Sequence, residues 1–251
     1  MSKEFKSKVD VNSESFLKNR AEMLEKIKEM HNLEKRSFDA SESKRKKFED
    51  RNQLSPRERL KALIDPDSEF VELYNMAGFL VEDKNFETSI PGASVIAGIG
   101  FINGVRCMIM VDDSGINAGA ATSTTVDKCV GCLEISLEKK LPFVHLVESA
   151  GINLMNYKVE IWARAGGMFA GLAKLSAAGV PTITVLHGLS TAGGAYNVGM
   201  SDYVIGVKKN GMAALAGPAL LKAATNEVAS NEELGGSEMH ATVSGLVEYL
   251  A

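Results

Sequence analysis

Hydrophobic positions change their spacing along the chain, and each change predicts a different element. Phe16, Met23, Ile27, Met30 and Phe38 fall near one stripe with Leu17 and Leu24 beside it, and charged residues fill the rest. The pattern predicts a long amphipathic helix whose stripe covers either the rest of the chain or another subunit. Pro56 opens a short helix over Arg57 to Ile64, which Asp65-Pro66 stops. Phe70 to Leu73 reads as a strand. Two more follow, Ser94 to Phe101 and Val105 to Val111, joined by Asn103-Gly104, a strong hairpin turn.

The rhythm then alternates. Thr125 to Lys139 is helical, with Val126, Cys129, Val130, Leu133 and Leu137 on one face. Phe143 to Val147 is a short buried strand, Glu160 to Ala177 a helix, and Thr182 to Leu186 another buried strand. Gly193-Gly194-Ala195 opens a helix, Tyr203 to Val207 is a strand, and Ser230 with Glu233 forms a capping box. Alternating strands and helices, with near-continuous apolar strands, predict an α/β layer fold with a largely buried sheet.

Charge divides the chain in two. Residues 1–65 carry 17 Lys/Arg and 13 Asp/Glu, net +4; residues 66–251 carry 11 and 19, net −8. The organisation expected is a charged helical arm over 1–65 and a globular domain over 66–251. Lys44-Arg45-Lys46-Lys47 is either a solvated face or an attractor for a phosphorylated ligand. No apolar run approaches the roughly 20 residues of a membrane span, and the amino terminus is charged rather than signal-like. Three cysteines, an odd number, argue against a disulfide framework and fit the cytoplasm or another reducing compartment such as a mitochondrial matrix. An acidic body and an arm of alternating sign argue against a nucleic-acid partner.

Candidate chemistry is sparse in side chains. Gly98, Gly100 and Gly104 are spaced GxGxxxG and run into a hairpin, where a dinucleotide-binding loop needs a helix. Cys129 and Cys132 form a CxxC inside a helix, with only Cys107 left as sulfur, so no zinc site is expected. His145 and His187 read as core or loop histidines. Asp112, Asp113 and Glu148 end strands and are the most site-like carboxylates, yet no second carboxylate pairs with them to make an acid/base dyad. There remain two glycine-bearing segments at strand ends, Glu148-Ser149-Ala150-Gly151 and His187 to Ala195. They are either tight strand–helix turns or two walls of an oxyanion hole for a thioester whose carbonyl becomes an enolate.

Longer stretches carry a resemblance. LSPRERLKALIDPDSEFVEL, GIGFINGVRCMIMVDD, LPFVHLVESAGINL, SAAGVPTITVLHGLSTAGGAYNVGMSDYVI and LAGPALLKAATNEVASNEELGGSEMH are similar, in order, to the carboxyltransferase (β) subunits of biotin-dependent acyl-CoA carboxylases, the propionyl-CoA and methylcrotonyl-CoA group. The resemblance implies a crotonase-like ββα superhelix behind the helical arm. It implies transfer of a carboxyl group from carboxybiotin to the α (or vinylogous) carbon of an acyl-CoA, with biotin carried on a partner protein and supplying the base. Ala150, Gly151, Gly193 and Gly194 match the oxyanion-forming segments. Ala118, Gly119 and Ala120 match the loop lining the CoA cleft, Ala195 completes the substrate-binding set, and no metal is implied. The role of Lys222 stays open.

Two departures qualify the resemblance. No cysteine precedes Cys107, so the four-cysteine zinc ribbon of the bacterial acetyl-CoA carboxylase β subunit is missing. Members of this branch also carry two crotonase-like domains, so the partners expected are acyl-CoA, a biotin carboxyl carrier or biotin carboxylase subunit, and a second carboxyltransferase domain or subunit, within an oligomer. Other readings are the carboxyltransferase subunit of a sodium-pumping acyl-CoA decarboxylase and a non-catalytic CoA-binding or assembly module. A hydratase would need a glutamate just past the glycine run, where Tyr196, Asn197 and Val198 stand.

Overall fold

The amino-terminal stripe folds as α1 (Glu14–Glu42) in a computed structural model that describes residues 6–152 and 158–251. Ser13 caps the helix by accepting the Phe16 N–H at 3.3 Å. Its first half lies off the body, with Leu17, Met23, Leu24 and Ile27 all exposed among the described residues. Only the last turns dock. Ser41 donates to Asp113 Oδ1 at 2.7 Å, the Asn75 amide donates to Glu34 at 2.6 Å, and the Arg36 guanidinium stacks on the Phe86 ring.

After a turn at Ser43-Lys44 come α2 (Arg45–Glu49) and α3 (Pro56–Leu63). Proline at the first position and a Ser55/Glu58 capping box start α3 where the sequence places it. The expected strand over Phe70 to Leu73 shortens to β1 (Val71–Glu72), because the chain turns away at Tyr74 with φ +53°. The hairpin pair is β2 (Val95–Ile102) and β3 (Val105–Asp112), with Asn103 and Gly104 both at positive φ in the turn. Gly98 is glycine for contact: a Cβ there would stand 2.3 Å from the Val71 carbonyl oxygen.

The alternating half gives α4 (Ser123–Lys139), β4 (Phe143–Val147), α5 (Val159–Ala177) and β5 (Thr182–Leu186). It continues with β6 (Leu189–Thr191), α6 (Gly193–Gly199), β7 (Tyr203–Gly206) and β8 (Met212–Ala214), then α7 (Pro218–Thr225), α8 (Asn231–Gly235), α9 (Ser237–Met239) and β9 (Tyr249–Leu250). The helix expected from Thr125 begins two residues earlier because Thr122 supplies the cap. The seven-stranded sheet runs β1-β2-β3-β4-β5-β7-β9, antiparallel through β3 and parallel beyond it, while β6 and β8 form a separate parallel pair. Asn153 and Leu154, at the end of the LPFVHLVESAGINL stretch, lie outside the described residues.

Side-chain alternation sorts β2 and β3 between two layers. Val95, Ala97, Met108 and Met110 pack against Cys129, Cys132, Leu133, Leu172 and Leu175 of α4 and α5. Ile96, Cys107, Ile109 and Val111 meet Leu60 of α3 on the other face. Burial raises the thiols of all three cysteines, Cys132 to about 11, so they are core thiols. Val147 pairs with Leu186 at the carboxyl ends of β4 and β5, so the glycine-bearing segments that follow leave the sheet side by side.

Leu175 is fully buried and Leu24 is 46% exposed. Leu175→Ala should cost about 2–5 kcal/mol in urea unfolding of the chain. Leu24→Ala should stay within about 0.5 kcal/mol.

Candidate functional site

The two glycine-bearing segments meet as the sequence suggests. Ser149 donates its N–H to the Leu189 carbonyl and accepts from Thr191 N–H, both at 3.0 Å. A Cβ on Gly194 would lie 3.0 Å from Ser149 Cβ, and one on Gly151 would lie 3.3 Å from the Thr191 carbonyl oxygen. Only residues without side chains allow this approach. Gly151 also holds φ +79°.

The donors differ in availability. Gly151 turns its N–H inward onto Ser149 Oγ at 3.2 Å, and Ala150 beside it is exposed. Gly193 and Gly194 are the first two residues of α6, where a helix has no intrahelical acceptor for its N–H groups. The methyl of Ala195 packs on the core cluster of Val147, Leu186 and Val198, so that residue faces inward.

The third expected segment joins them. Ala118 and Gly119 lie in a tight turn, both at positive φ. The Gly119 carbonyl accepts from Ser149 Oγ at 3.0 Å, and the Ala121 N–H donates to Gly151 O at 2.8 Å. A Cβ on Gly119 would stand 2.4 Å from the Glu148 carbonyl oxygen. Ala120 follows in the same loop, with its N–H on Asn117 O. Lys222, exposed near the end of α7, is remote in sequence from these contacts and makes none of them.

Beneath the segments lies a polar network that no sequence spacing shows. Glu148 accepts from Arg59 Nη1 and from Ser114 Oγ, each at 2.8 Å, and donates its own N–H to Asp112 Oδ2 at 3.1 Å. The other Asp112 oxygen meets His145 Nε2 at 3.1 Å. The partner for Glu148 is therefore an arginine 89 positions away, on the arm side of the chain. Burial depresses His187 to about 3, with the Arg59 charge adding to the effect, so its imidazole is neutral. Burial also raises the neighbouring carboxyl of Asp113, against the pull of its hydrogen bond from Ser41.

Among the described residues, three cavities that border the glycine segments differ in character. A cationic one of about 280 Å³ is lined by Lys44, Lys47, Arg51, Ser114, Ala118 and Ala150 among others. An apolar one of about 530 Å³ lies beyond Ala150 and Gly193, with Ala165, Phe169 and Leu220 in its wall. A small one of about 50 Å³ lies below, touching Asp112, His145 and Asn197. Ala150 and Thr191 line both larger cavities, so the backbone donors stand at the border between a charged and an apolar compartment.

Two outcomes follow from the network. Glu148→Ala leaves Arg59 charged and buried without its partner, and should destabilise the chain by about 3–5 kcal/mol in urea unfolding. His187 is neutral when folded but takes a proton near pH 6.5 when unfolded, so it draws stability down as pH falls from about 6.5 toward 3. Between pH 7.5 and 5, His187→Leu should lose about 2 kcal/mol less than the parent chain.

Comparison with known proteins places the chain. Residues 47–251 match the model of the carboxyl transferase domain. The chain is 38% identical to the mitochondrial methylcrotonoyl-CoA carboxylase beta chain of Arabidopsis thaliana, over 97% of its own length and 41% of the relative's. It is 38% identical to the biotin-dependent 3-methylcrotonyl-coenzyme A carboxylase beta1 subunit of Mycobacterium tuberculosis, over 90% and 42%. The crystal structure of the P. aeruginosa geranyl-CoA carboxylase beta subunit superposes with a TM-score of 0.88 at 44% identity, over 98% of this chain and 45% of that one. The likeness bears out the crotonase-like fold. The chain spans about two fifths of the length of the curated relatives it matches. On that match, the chain belongs to the carboxyl transferase domain family.

Proposed function

We propose that this chain is the acyl-CoA-binding half of a biotin-dependent carboxyltransferase. The observation that carries the reading is the meeting of the Ala150 N–H segment with the Gly193-Gly194 amino terminus of α6 at the border of two cavities of opposite character. A thioester carbonyl held there would gain most as its oxygen turns negative, because N–H groups fixed by the scaffold need no reorganisation. Lys44, Lys47 and Arg51 would hold the phosphates of CoA in the cationic cavity. This extends the sequence reading of the Lys44–Lys47 run.

Carboxybiotin on a partner carrier would supply both the carboxyl group and the base that takes the α-proton. The surroundings fit such a donor. Among the described residues no Asp, Glu, Lys, Arg or His lines the apolar cavity, the nearby Asp112 and His145 are bonded to each other, and Glu148, which lines the cationic cavity, is paired with Arg59. Its residues would bind the CoA, polarise the carbonyl and shield the enolate from water. The partners of the reading are a biotin carrier and a second carboxyltransferase half.

Carboxyl transfer by the assembled protein, with carboxybiotin and a panel of acyl-CoAs, tests the reading; no carboxylated product from any acyl-CoA would overturn it. A Cβ on Gly193 meets nothing within 4 Å, which separates donor loss from crowding. Gly193→Pro removes one N–H and should lower kcat by about 10²–10³-fold, with urea unfolding run alongside because Ala192 before it holds φ +50° and ψ −116°, outside the extended region that proline imposes on its predecessor. Gly193→Ala keeps the N–H and should stay close to the parent. Lys47→Ala and Arg51→Ala should raise KM, with a larger effect at low salt.

A further inference from the structure

We infer that Ala192 is a positioning residue: its strained backbone turns the Gly193 N–H out of α6, and its methyl spaces the two converging segments. The inference rests on the reading of the site as an acyl-CoA thioester site and adds the residue that orients one of its donors. Ala192 holds φ +50° and ψ −116°. Ala118, Lys140 and Asn226 also hold positive φ, but ψ of 31°, 44° and 11° keeps them in or near the left-handed helical region that other side chains enter. The angles of Ala192 are instead those of the first central residue of a type II′ turn, a position that favours glycine. A residue with a Cβ stays in such a conformation only where its surroundings over-determine it, and such residues cluster at functional sites.

Backbone hydrogen bonds on both sides impose these angles. Thr191 is tied by its N–H to Ser149 O at 3.0 Å, and the Ala192 N–H is shared between Ala214 O at 3.1 Å and Leu215 O at 3.2 Å. Ala192 O accepts from Tyr196 N–H at 3.3 Å, which begins α6 and points that carbonyl along the helix. In a trans peptide the N–H lies opposite the C=O, so the Gly193 N–H faces away from α6. Glycine would adopt the same angles without strain, and glycine follows at 193 and 194; alanine is the less stable choice at 192. Its methyl accounts for the choice. A Cβ on Gly151 would lie 3.4 Å from Ala192 Cβ, so the methyl stands against the Ala150-Gly151 segment. It fixes the gap between the two segments and denies the backbone around Gly193 the states that a glycine at 192 would open.

Ala192→Gly separates the strain from the positioning. The variant chain should unfold at higher urea than the parent, because the strained angles are relieved. In the assembled protein, with carboxybiotin and the acyl-CoA that the parent carboxylates fastest, kcat should fall by about 10–100-fold while KM stays within about twofold. In the substrate-free chain, the NMR order parameter of the Gly193 N–H should drop from about 0.85 to below about 0.6. That readout needs no substrate. If no acyl-CoA is carboxylated by the parent assembly, yet the Gly193 N–H loosens in the variant, the carboxyltransferase reading fails and the role of Ala192 stands. A variant that unfolds at lower urea, keeps a rigid Gly193 N–H, or turns over as the parent does would overturn the inference.

Discussion

Four stretches of chain remote in sequence are tied together by one residue, Glu148. Its carboxylate holds Arg59 of α3 and Ser114 of the loop after β3, and its N–H holds Asp112 at the end of β3. Its stem packs so closely on Gly188 that a Cβ there would lie 2.6 Å from Glu148 Cγ, and its carbonyl oxygen excludes a side chain at Gly119. A buried ion pair is a costly way to fill space, since both charges lose their hydration. An apolar side chain of the same volume would not orient Arg59 or accept from Ser114. The physical role of the pair is to fix where β4 ends, and that end point places Ser149, Ala150 and Gly151.

From this anchor the site assembles from backbone. Ser149 spans the gap, receiving Gly151 N–H, donating to Gly119 O and pairing in both directions with Leu189 and Thr191. Glycine stands at 119 and 151 because a neighbouring carbonyl, of Glu148 and of Thr191, comes too close to leave room for more. Backbone amides held in this way cannot relax away from a charge that develops on a bound oxygen, which is where preorganised donors exceed solvent water. The arm contributes in the same stroke: α3 brings Arg59 to the anchor, while α2 and its flanks bring Lys47, Lys44 and Arg51 to the edge of the cleft.

Local pattern predicted what local physics controls. Asn103-Gly104, Pro56 behind Ser55, and the Ser230/Glu233 box each behave as their chemistry dictates, because a turn or cap is decided within four residues. The buried strands β4 and β5 were legible from apolar runs, and the glycine segments from their place at strand ends. The short strands β6, β8 and β9 were not, since two or three residues carry no period. Arg59 could not be tied to Glu148 because nothing in sequence marks a pairing across 89 positions. Nor could spacing show that Gly151 spends its N–H on Ser149 Oγ, because that depends on a single peptide's orientation. The fate of the α1 stripe was equally hidden: periodicity announces an apolar face, and only the fold shows that Leu17, Met23, Leu24 and Ile27 stay exposed among the described residues.

The account's central claim is that backbone N–H groups of two converging segments grip a thioester carbonyl. Isotope-edited infrared spectroscopy of an acyl-CoA labelled with ¹³C at the thioester carbon, bound to the chain, tests it most directly. Two donors at one oxygen polarise the carbonyl, so the account predicts a stretching band moved to lower frequency than in water, with part of the shift lost in Gly193→Pro and retained in Gly193→Ala. A bound thioester whose carbonyl band stays at its aqueous position would contradict it.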